Sequence, residues 1–88
     1  MTTKPPSKVK SEDPNKPVAQ IYSIVEELKD RIPIINDRYR LGFCLNRYYE
    51  GLTGSIHEAV GAAKPESCKI DLKELEKIIT EKYKRLNL

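Results

Sequence analysis

The chain has 88 residues, 39% apolar and 33% charged, with a formal net charge of +3. That length holds one domain at most, and the composition suits a small globular protein. No uncharged run approaches the roughly 20 apolar residues of a membrane span, and the N-terminal lysines have no apolar stretch behind them to make a secretory signal.

A cytoplasmic, nuclear or intravirion setting, rather than a secreted one, is therefore expected. The charge alternates in sign along the chain, without the dense basic stripe of a dedicated duplex-binding domain. Cys44 and Cys68 lie in a chain without an export signal, so both are expected as reduced thiols.

Residues 1–16, MTTKPPSKVKSEDPNK, carry Lys4, Lys8, Lys10 and Lys16 with three prolines and no large apolar residue except Met1 and Val9. Too little surface can be buried there to offset the entropy of ordering, which predicts a disordered tail. Its simplest role is solubility. Its sharper roles are a basic arm for phosphate or an acidic partner, or a short ligand in the Pro14–Pro17 spacing.

Helix 1 is predicted from Pro17 to Arg31. Proline is tolerated at the first helical position, and Val18, Ile21, Ile24, Val25, Leu28 and Ile32 recur at steps of three and four. Pro33 ends it, because the residue before a proline is driven from helical geometry.

Helix 2 is predicted from an Asn36 N-cap to Tyr49 or Glu50, with Asp37 in the first turn and Gly51 and Gly54 as the break. Leu41, Leu45, Tyr48 and Leu52, extended upstream to Ile34, make its core face. The opposite side clusters Tyr39, Phe43, Asn46 and Glu50, with Asn36, Arg40 and Arg47 beside them. Two readings stand for this second face. Its aromatic groups pack on a neighbouring helix, as on any central helix of a small protein, or they form an exposed aromatic and arginine patch of the kind found at interfaces and stacked on bases.

Helix 3 opens on Ser55-Ile56-His57-Glu58, a capping box in which the serine accepts from the third helical amide and the glutamate reaches back to the serine amide. Ile56, Ala59, Val60 and Ala63 form its stripe, and Pro65 stops it. After a connector, Ile70 is expected to pack on Leu75 with Asp71 as N-cap, and helix 4 runs from Leu72 to about Leu86. Its buried stripe is Leu72, Leu75, Ile79, Tyr83 and Leu86, and Lys82, Lys84 and Arg85 complement the dipole at its end.

Catalytic chemistry finds little support. His57 is the one histidine, with no second histidine and with Glu58 assigned to the cap, so it reads as an exposed side chain. Cys44, His57 and Cys68 lack the short paired spacing of a zinc site. Gly51–Ser55 precedes a helix start but contains no lysine, and reads as a turn. A helix-turn-helix over helices 2 and 3 would present His57, Glu58 and Lys64 where base readout wants Arg, Asn or Gln.

The expectation is an all-α protein, a compact bundle of about four short helices over 17–88 behind the tail. It is expected to be no enzyme, with no metal, cofactor, small-molecule substrate or membrane contact. Its predicted function is that of an adaptor or regulatory module that binds another protein, or a second copy, through Tyr39, Arg40, Phe43 and Arg47. The alternative is an accessory nucleic-acid binder that uses Lys4, Lys8, Lys10, Lys16, Arg40 and Arg47.

Overall fold

The computed structural model describes residues 16–88. The predicted tail, with Lys4, Lys8, Lys10 and Pro14, lies outside these residues except for Lys16. The described residues form four helices and no strand: α1 Pro17–Glu26, α2 Ile35–Tyr49, α3 Ile56–Ala63 and α4 Leu72–Lys84. Each helix packs on its neighbours in the chain, and α4 returns to α1, which closes a ring around one core. Ile21 and Ile24 from α1, Leu41 and Leu45 from α2, Val60 from α3 and Leu75 and Ile79 from α4 fill that core.

The α1 helix is shorter than its apolar period. Beyond Glu26 the chain continues in tight turns, with Leu28 N–H donating to Val25, Lys29 to Glu26 and Arg31 to Leu28. Leu28 and Ile32 are nevertheless fully buried. The reason is tertiary. The carbonyl of Arg31 accepts from the Lys69 amide at 2.7 Å, and those of Ile32 and Pro33 accept from Arg38, so these oxygens are satisfied without a continuing helix. Val18, expected on the buried stripe, is exposed because it precedes the segment that the other helices cover.

The α2 helix starts at Ile35, and its N-cap is Ile34, with no side-chain capping bond. Asn36 is thus not the cap. Its C-terminus is closed as expected, with Gly51 at φ 84°. The Leu52 amide bonds the Arg47 carbonyl and the Gly51 amide bonds that of Tyr48, the paired pattern of a left-handed helix end. Leu41 and Leu45 are buried, but Ile34 and Leu52, at the two ends of the predicted core face, are exposed because they lie beyond the turns against which α1 and α3 pack. Nor is α2 surrounded: α1 and α3 pack along it and Tyr48 meets Tyr83 of α4, while Tyr39 and Phe43 stay in solvent.

Ser55 caps α3 through the Glu58 amide at 3.1 Å. The Glu58 carboxylate reaches the Gly54 amide at 3.0 Å, one residue upstream of the expected serine amide. The helix ends at Ala63, and Lys64 adopts the left-handed conformation, φ 45°, ahead of Pro65. Asp71 caps α4 through the Lys73 amide at 2.9 Å. Leu72 faces solvent, since only the stripe from Leu75 onward meets α3 and α1. The ring is closed by Gln20, which exchanges hydrogen bonds with the backbone of Asn87, and by the Lys82–Glu27 ion pair.

Candidate functional site

The buried arc of α2 runs through Asp37, Leu41, Cys44 and Leu45. At about 100° per residue the remaining arc carries Tyr39, Phe43, Asn46, Arg47 and Glu50. Tyr39 is 55% exposed and Phe43 56%, so neither ring is sealed by a neighbouring helix. Tyr39 has one aromatic neighbour, the Tyr22 ring of α1, edge-on at 6.3 Å between centroids. The Arg47 guanidinium carbon lies 5.8 Å from the Phe43 centroid, within cation–π range.

What sets Tyr22 against α2 is Gly42. A Cβ built there would meet the Tyr22 ring, with Cδ1 at 2.6 Å, so only glycine lets the ring lie on the α2 backbone. Burial raises the Tyr22 pKa above its usual value, opposed by a hydrogen bond from Asn46. At the far end of α2, Tyr48 tilts against Tyr83 of α4 at 5.4 Å. Burial raises the Tyr83 pKa as well.

Arg40 stands apart from the other three proposed contact residues. Its Nε donates to the Ala63 carbonyl at 2.8 Å, and its Nη2 lies 2.6 Å from Asp37 Oδ1. The other Asp37 oxygen accepts the Ser67 amide at 2.9 Å. Hydrogen bonds from the Ser67 hydroxyl and amide, and then from Arg40, hold the Asp37 carboxyl below its ordinary pKa. The structure therefore brings Tyr39, Phe43 and Arg47 onto one face, while Arg40 turns toward the end of α3. Of the proposed phosphate-binding lysines, Lys16 is described, exposed at the start of α1.

Two polar pairings are absent from the sequence reading. Arg38, 8% exposed, donates through Nη1 to Ile32 at 2.8 Å and to Pro33 at 3.2 Å. Its step of three from Leu41 and seven from Leu45 places it on the core stripe, the one hint available in the sequence. His57 is exposed, yet its Nδ1 lies 2.8 Å from Glu76 Oε2 of α4. The surface that a helix-turn-helix would offer is thus engaged, by Glu76 at His57 and by the cap at Glu58.

Cys44 is buried and Cys68 half-buried, both as free thiols. Among the described residues, no three His, Cys, Asp or Glu side chains gather as metal ligands. A groove of about 330 Å³ runs along Pro65, Cys68, Ile70 and Leu72. The chain matches no family model, no curated protein and no solved structure.

Proposed function

We propose that the chain is a non-enzymatic interaction module, of adaptor or regulatory type, that binds another protein through the solvent face of α2. One observation carries this reading: Tyr39 and Phe43 are both more than half exposed on a helix whose other side is core. Aromatic side chains and arginine are the groups enriched at the centres of protein interfaces, the rings because they bury much area with few rotors to freeze and arginine because its planar fork is rich in donors. Among the described residues, no helix is long and apolar enough to cross a membrane.

Nucleic acid on the same face is the weaker reading. Arg40 already serves Asp37 and Ala63, and Glu50 lies on the same arc as Arg47. The test compares proteins and polynucleotides retained by the full chain with those retained by Phe43→Glu and Arg47→Glu. Protein retention lost in both variants and insensitive to salt supports the proposal; retention unchanged by either rejects the face. Binding that falls steeply with salt, on polynucleotide alone, favours the second reading instead.

A further inference from the structure

We draw no further inference here: the strongest candidate, the groove between the end of α3 and the start of α4 along Pro65, Cys68, Ile70 and Leu72, is an apolar surface with a lone cysteine, and nothing in the structure shows what covers it.

Discussion

The guanidinium of Arg40 and the carbonyl of Ala63 are joined by a 2.8 Å hydrogen bond between residues 23 apart in the chain. That carbonyl closes α3, where the last turn has no intrahelical donors and the helix dipole is negative. Arg40 therefore serves as a cap brought from another helix, and links α2 to the end of α3.

Replacing Arg40 by methionine keeps the stem but removes both donors. The expected loss is about 1 kcal/mol, modest because the side chain is half exposed to water that replaces part of the contact. It should be seen as a lower urea midpoint at unchanged slope. Arg40→Lys should recover only part of it, since one ammonium cannot reproduce the directed fork that reaches Asp37 and Ala63 together.

Acid should weaken the fold through Asp37. Its pKa in the folded protein is lowered from 3.8 by Ser67 first and then Arg40. The stabilisation is therefore present above 3.8 and is lost as pH falls through the lower folded value. In Asp37→Asn this part of the acid limb should be absent, and stability measured by urea titration should fall less between neutral and acidic pH. An acid limb identical to that of the unaltered chain would show that Asp37 has no part in it.

Gly42→Ala should destabilise by about 1–3 kcal/mol, the usual cost of overfilling a packed contact. The new methyl would enter the Tyr22 ring. The ring must then move, and with it the edge contact to Tyr39. A double-mutant cycle with Tyr22→Leu should show coupling, because the narrower side chain leaves room for the methyl. Additive effects would mean that the ring does not rest on Gly42.

The two thiols should react unequally. Burial raises the Cys44 pKa, with Arg47 and Arg40 pulling weakly the other way, so both access and thiolate fraction are reduced. Cys68 is only half-buried. An aromatic disulfide reagent should titrate one thiol quickly in the folded protein and the second only on unfolding. Two equally fast thiols would contradict the placement of Cys44 in the core.

Much of the fold was legible because its signals are local. The serine at Ser55 caps the amide three residues on, and Asp71 caps the amide two residues on. Gly51 takes the left-handed turn that its lack of a Cβ allows. The ends of the apolar stripes were less legible. Val18, Ile34, Leu52 and Leu72 continue their periods, but no neighbouring helix reaches them, so they are exposed. Periodicity states which face turns inward; it does not state how far along the helix a partner extends.

What the sequence alone determined is the number, order and inward faces of the helices, since these depend on spacings within a turn or two. The tertiary structure alone decided the fate of the polar groups. Arg38 became a buried cation because the α1 turn offers it carbonyls, and Arg40 became a helix cap because α3 ends beside it. Asp37 found its donor 30 residues away at Ser67. Tyr39 and Phe43 were left in solvent because no neighbouring helix covers them. Hydrogen-bond partners and burial are set by whatever other segments arrive at a point in space, and that arrival is encoded by the whole core rather than by neighbours in the chain.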